Sequence, residues 1–205
     1  MRGSRAAGSG PTWVVVLVKD FDTAKSRLGP ALEPAERRRL ARRNAALALR
    51  AAAAGDRVLA VCGSAESADL ARAAGAEVLL EAEPAGQNPA ARRGLEHAQE
   101  AGAAAALLLS SDLPLVIRDV LAALLRFGGD LGEPAVVAAP ATGRGGTNAL
   151  YLRPPDAIGL HFGDDSLALF AADAAERGVR LELFESPDLA LDLDEPGDLA
   201  LLSAR

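Results

Sequence analysis

The sequence has one cysteine and two histidines, and its aromatic content is 3%. Cys62 alone can form neither an intrachain disulfide nor a cysteine-based zinc site, and His97 and His161 are too few for a His-rich metal centre. Cys62 closes the apolar run Val58-Leu59-Ala60-Val61, the setting of a buried structural thiol. Basic charge is also short: 22 Lys and Arg stand against 28 Asp and Glu, a formal net charge of -6. Nucleic acid is thereby disfavoured as a partner, because it calls for a basic surface and stacking rings. No apolar run approaches the ~20 residues of a membrane span, and the first ten residues contain no signal-peptide core. The expectation is a cytoplasmic protein with no membrane partner. The P-loop pattern and the dinucleotide fingerprint are missing too.

What the chain does have is apolar mass, 50% of its 205 residues, enough for one core. Residues 1–11 are read as a disordered leader and 12–205 as a single domain. Apolar runs at 13–18, 58–62, 77–80 and 105–110 have the length of strands, and the first is β-branched and continuous, the mark of a strand covered on both faces. Between them lie helical segments opened at Glu33-Pro34-Ala35-Glu36, at Ser64 and near Pro89. This alternation predicts an α/β domain with a mostly parallel sheet and helices on both faces. After Pro114 a helix to Phe127 and a strand at 135–139 are expected. Then the rhythm changes: a Gly-rich loop at 143–146, a strand at 149–152, a helix at 166–177 and a strand at 180–184 imply hairpin or mixed pairing at one sheet edge.

Ligands of open α/β sheets bind beyond the carboxyl ends of the strands. Three clusters fall there. Lys19, Lys25 and Arg27 follow the first strand and could neutralise a triphosphate, or belong to a solvated loop. Asp112, in Ser110-Ser111-Asp112-Leu113-Pro114, is placed either to hold a hard cation such as Mg²⁺ or to cap a proline-started helix. Leu189-Ala190-Leu191-Asp192-Leu193-Asp194 reads as an alternating strand that sets Asp192 and Asp194 on one side, where a cation relieves their repulsion, with capping of a last helix near Pro196 the other role for Asp194. The loop Thr142-Gly143-Arg144-Gly145-Gly146-Thr147-Asn148 offers small residues and backbone donors to a phosphate or carboxylate, or is a plain surface loop. Ser166 stands at a helix N-terminus, suited to an anion or to capping.

Taken in order, Val18-Lys19, Ala24-Lys25-Ser26-Arg27-Leu28, Gln87-Asn88, Asp112-Leu113-Pro114, Gly146-Thr147-Asn148-Ala149-Leu150, Phe162-Gly163 with Ser166, and Leu191-Asp192-Leu193-Asp194 resemble the 2-phospho-L-lactate / phosphoenolpyruvate guanylyltransferase family. The resemblance spans the chain from Trp13 onward. It implies a nucleotidyltransferase fold of the nucleotide-diphospho-sugar-transferase type. It also implies transfer of GMP from GTP to phosphoenolpyruvate or 2-phospho-L-lactate with release of diphosphate, in the synthesis of the deazaflavin coenzyme factor 420. Asp112, Asp192 and Asp194 match the family's Mg²⁺ ligands, and Lys19, Lys25 and Arg27 its phosphate-facing segment. Thr147, Gly163 and Ser166 match positions that hold the acid, and Asn88 falls near the base. By this match Lys25 and Asp112 are the candidate catalytic pair, and a downstream transferase would take the product. Two departures stand out: Ser110-Ser111 where the family usually has Pro-Ala, and Asp164-Asp165 where it usually has Pro-Gly. Other nucleotidyl or glycosyl transfer on the same fold, and a noncatalytic nucleotide-binding module, remain as alternatives.

Overall fold

The computed structural model describes residues 10–143 and 145–203. The proposed leader therefore lies outside the described residues apart from Gly10 and Pro11, as does Arg144. Seven strands form one sheet: β1 (Thr12–Val18), β2 (Arg57–Cys62), β3 (Glu77–Leu80), β4 (Ala105–Ser110), β5 (Ala135–Pro140), β6 (Thr147–Arg153) and β7 (Leu181–Leu183), in the order β3-β2-β1-β4-β6-β5-β7. Pairing is parallel from β3 through β4, antiparallel on both sides of β6, and parallel again between β5 and β7. The mixed pairing expected at an edge thus lies inside the sheet, with β6 inserted between β4 and β5.

Strand β1 shows why the sheet needs two covers. Val14, Val16 and Val18 enter one apolar cluster with α1 (Pro34–Ala52), α2 (Ala65–Ala73) and α4 (Arg118–Asp130). Trp13, Val15 and Leu17 enter another with α3 (Gln87–Glu100) and α5 (Ser166–Glu176). Alanine makes the fit. Ala41, Ala45, Ala48 and Ala52 line the buried face of α1 at helical spacing, with Leu49 the one large apolar side chain among its buried residues. At the start of α1, Glu33 and Glu36 form a reciprocal capping box ahead of Pro34.

Cys62 is buried against this core, and burial pushes its thiol up to about 11, consistent with a structural thiol. Two elements differ from the sequence reading. The helix after Pro114 starts only at Arg118, with Ile117 at its cap, so Asp112 caps nothing. The strand expected at 189–194 does not form: residues 187–190 make a short helix, α6 (Pro187–Ala190), and residues 191–194 are neither helix nor strand. Pro187 behind Ser186, whose hydroxyl accepts from the Asp188 N–H at 3.3 Å, is a helix-start signal that the alternation of leucines obscured. The chain continues to α7 (Pro196–Ser203). The alternation still sets side chains, with Leu191 and Leu193 buried and Asp192 and Asp194 partly exposed.

Gly94 sits where α3 lies on the sheet, and a Cβ there would come 2.5 Å from Val15 Cγ1 and 3.1 Å from Val61 Cγ2. Gly94→Ala should therefore lower stability by about 1–2 kcal/mol, because overpacking outweighs the helix-propensity gain. A denaturant midpoint at or above that of the parent would contradict the close approach.

Candidate active site

The loop after β1 is pinned from below by Phe21, Ala24 and Leu28, all buried, which turns Lys19, Lys25, Ser26 and Arg27 toward a cavity of about 300 Å³ at the carboxyl edge of the sheet. Lys25 has φ 61 and ψ 28, left-handed backbone that non-glycine residues rarely adopt, directly before a 3₁₀ turn at Ser26–Leu28. Its ammonium holds it there. Nζ stands 3.0 Å from Asp112 Oδ2 and 3.2 Å from Asp194 Oδ1, with the lysine side chain 5% exposed. Burial alone would push the Lys25 pKa down, but the two carboxylates reverse this and the net direction is up. Burial likewise works against the Asp112 carboxylate, yet Lys25 and the Ser110 hydroxyl bring its pKa down to about 2. Both groups are charged at neutral pH.

Asp112 is fixed by several segments at once. The Ser110 hydroxyl donates to its Oδ1 at 2.7 Å, so one of the two departures from the family pattern supplies a bond to the acid. Its carbonyl accepts from the Asn44 side chain of α1 at 3.1 Å and from the Leu193 N–H at 3.4 Å. Asn148 on β6 donates to the Leu189 carbonyl at 2.8 Å and fastens α6, just ahead of the other two acids. One carboxylate oxygen from each of Asp112, Asp192 and Asp194 then lies within 4.8 Å of the others. A set of three carboxylates with no nitrogen or sulfur donor suits a hard divalent cation.

On the far wall the Ser166 hydroxyl donates to Thr147 Oγ1 at 3.2 Å, both residues buried. Asp165, not Ser166, occupies the cap position of α5. The N–H groups of Ser166, Leu167 and Ala168 donate to the carbonyls of Gly163, Gly145 and Asp165, so this helix start does not hold out its first donors to an anion as the sequence suggested. Gly163 has φ 140 and lies open to the cavity, a backbone shape suited to glycine. Asp164 and Asp165 are both exposed; Asp164 reaches the rim of the cavity, whereas Asp165 lines a separate apolar hollow beside β7.

Every candidate residue lines this cavity except Asn88. The Asn88 amide is committed elsewhere: Oδ1 accepts from the Phe162 N–H at 2.7 Å, and Nδ2 donates to the Phe162 carbonyl at 2.9 Å. It clamps the segment ahead of Gly163, and its neighbour Gln87 faces the cavity instead. Sequence reasoning did not single out Gln87, Ser110, Asn44 or Asn148 as site residues. Asn44 carried a signal, as a polar residue on the alanine face of α1.

The Guanylyl transferase CofC like family model matches residues 12–203. The chain belongs to this family. Curated relatives of this CofC-like chain include a phosphoenolpyruvate guanylyltransferase from Rubrobacter xylanophilus, 43% identical over 94% of this chain and 93% of the relative. A 3-phospho-D-glycerate guanylyltransferase from Phenylobacterium zucineum is 41% identical over 85% and 82%. A 2-phospho-L-lactate guanylyltransferase from Methanothermobacter thermautotrophicus is 34% identical over 92% and 82%. Among solved structures, a nucleotidyl transferase from the same Methanothermobacter species aligns with TM-score 0.66 at 17% identity over 95% of this chain and 96% of that one. Rv0371c from Mycobacterium tuberculosis, in complex with manganese, aligns with TM-score 0.52 at 18% identity over 94% and 98%. The CofC-like chain thus has the nucleotidyltransferase fold, as the sequence resemblance implied.

Removing the Asn88 clamp should loosen the wall around Gly163 without disturbing the sheet. For Asn88→Ala, two lost hydrogen bonds predict a stability loss of about 1–3 kcal/mol and faster amide exchange over 162–166 than in the parent, with β1 unchanged. Unaltered exchange at 162–166 would remove the clamp from the account.

Proposed function

We propose that the protein transfers the guanylyl group of GTP to the phosphate of a small phosphorylated acid, phosphoenolpyruvate first among the candidates, in biosynthesis of the deazaflavin coenzyme factor 420. The observation that carries the reading is one cavity lined by Lys19, Lys25 and Arg27 together with Asp112, Asp192 and Asp194. Cations within and beside a carboxylate cluster suit a polyphosphate bound through metal. The relative from Rubrobacter xylanophilus favours phosphoenolpyruvate as the acid.

In the proposed reaction a phosphate oxygen of the acid attacks the α-phosphorus of GTP. A phosphoanhydride forms, the bond between α-phosphorus and its bridging oxygen breaks, and diphosphate leaves. The nucleophile is already an anion at neutral pH, so no side chain need remove a proton. Asp112, Asp192 and Asp194 are the residues to hold Mg²⁺, which when bound supplies charge neutralisation on the phosphates. Lys19 and Arg27 are exposed on the loop and would orient the triphosphate. Lys25 would exchange its carboxylate partners for the charge that grows on departing diphosphate. Thr147, Gly163 and Ser166 would hold the acid, with Asn88 keeping their wall in place. Catalysis is then positioning and electrostatics.

We take 12–205 as the catalytic domain, working in the cytoplasm and handing its energy-rich product to a transferase that consumes it. Diphosphate release from GTP, measured with phosphoenolpyruvate, 2-phospho-L-lactate and 3-phospho-D-glycerate in the presence of such a transferase, tests the reading. Turnover should be fastest with phosphoenolpyruvate, and no release with any of the three would end it. Lys25→Ala should lower kcat by roughly a hundredfold, the equivalent of about 3 kcal/mol, with GTP binding little changed. Parent-like turnover in that variant would remove Lys25 from the chemistry.

A further inference from the structure

A second cavity, of about 550 Å³, adjoins the first and shares Lys19, Thr23 and Gln87 with it. It lies beyond the carboxyl ends of β1, β2 and β3. Leu17, Pro84 and Ala90 give it apolar walls, and Glu81 stands among them. Glu81 follows β3 directly; its N–H donates to the Cys62 carbonyl at 2.9 Å, which extends the β2–β3 ladder by one residue and fixes the side chain's origin. That side chain is only 7% exposed, and the cation facing it is Arg93, whose Nη1 is 4.0 Å from Oε1, the outer limit of an ion pair. A carboxylate is costly to bury with so distant a counter-charge. Burial pushes its pKa up, and Arg93 pulls it back only in part.

The cost has a chemical use if a ligand brings donors to it. Apolar walls suit the faces of a purine, and Lys19, which lines both cavities, would meet the phosphates of the same ligand. Guanine presents two parallel donors on one edge, N1–H and the 2-amino group, which match the two oxygens of a carboxylate. Adenine presents a lone pair at N1 and a carbon-bound hydrogen at C2, so the same carboxylate repels it. We propose that Glu81 reads the guanine edge and sets the preference of this site for GTP over ATP. This inference rests on the guanylyl-transfer reading and assigns its base specificity to a residue outside the set matched by the sequence resemblance.

The competing role for Glu81 is a structural ion pair with Arg93, and ligand and protein can be varied together to separate the two. Binding and steady-state turnover would be measured with GTP, with ITP, which lacks the 2-amino group, and with ATP, for the parent, Glu81→Gln and Glu81→Ala. For the parent we expect GTP to exceed ITP in kcat/KM by about tenfold to a hundredfold, the effect of a hydrogen bond to a charged group. In Glu81→Ala the GTP-to-ITP ratio should fall to within about threefold of unity. The loss should appear in KM with kcat nearly constant, because the contact is remote from the reacting atoms. Glu81→Gln should also lose preference for GTP over ATP, with a melting midpoint near that of the parent. A parent-like GTP-to-ITP ratio in Glu81→Ala would overturn the assignment. Should that variant fail to fold, equal use of GTP and ITP by the parent overturns it as well. Absence of any turnover of GTP by the parent would instead sink the guanylyl-transfer reading beneath it.

Discussion

Three carboxylates cannot be gathered at one point of a folded chain unless positive charge is gathered with them. The Lys25 ammonium between Asp112 and Asp194 supplies it, and much of the local structure follows from that requirement. The left-handed backbone of Lys25 costs of order 1 kcal/mol or more, and it persists because two ion pairs and the buried anchors Phe21, Ala24 and Leu28 over-determine the loop. The same requirement explains the buried amides. Asn44 and Asn148 tie the carbonyls of Asp112 and Leu189 to α1 and β6, so acids from distant stretches of the chain arrive in fixed register.

Rigid placement of this kind is compatible with a core poor in aromatic rings. Small residues dominate the buried face of α1, and Gly94 lets α3 lie directly on Val15 and Val61. Fixing α3 fixes its first turn, where Gln87 meets the cavity and Asn88 grips the backbone of Phe162. Packing depth beneath the sheet is thereby converted into the position of a wall above it.

The periodic parts of the fold were legible from residues alone. Continuous β-branched or leucine runs such as 13–18 and 105–110, short and bounded by turn residues, suit strands covered on both faces, and both are strands here. Segment 189–194 misled because leucines spaced by two read the same whether an extended chain pairs with a neighbour or merely lies in a groove. The acid cluster was legible as a set because each acid follows an apolar run that drives its neighbours inward, and the closeness of their carboxylate oxygens needed only that those runs end at one sheet edge. The grip of Asn88 on Phe162 was not legible, because it is a pair of hydrogen bonds across 74 residues, which leaves no local pattern. Glu81 was invisible for a similar reason: an acid after a short strand looks solvated until the fold closes over it.

The placement of β6 carries a consequence of another kind. Because β6 runs against β4, its first residues, Thr147 and Asn148, arrive at the edge where β4 departs toward Asp112. The rim is therefore assembled from two blocks of chain that barely interleave, residues 17–90 on the side of the parallel strands and residues 110–166 on the side of the reversed one, joined through the acids. A division of this sort lets the two walls be altered independently of each other. A change confined to Thr147 and Gly163 would reshape one wall of the cavity and leave the wall built by residues 17–90 in place.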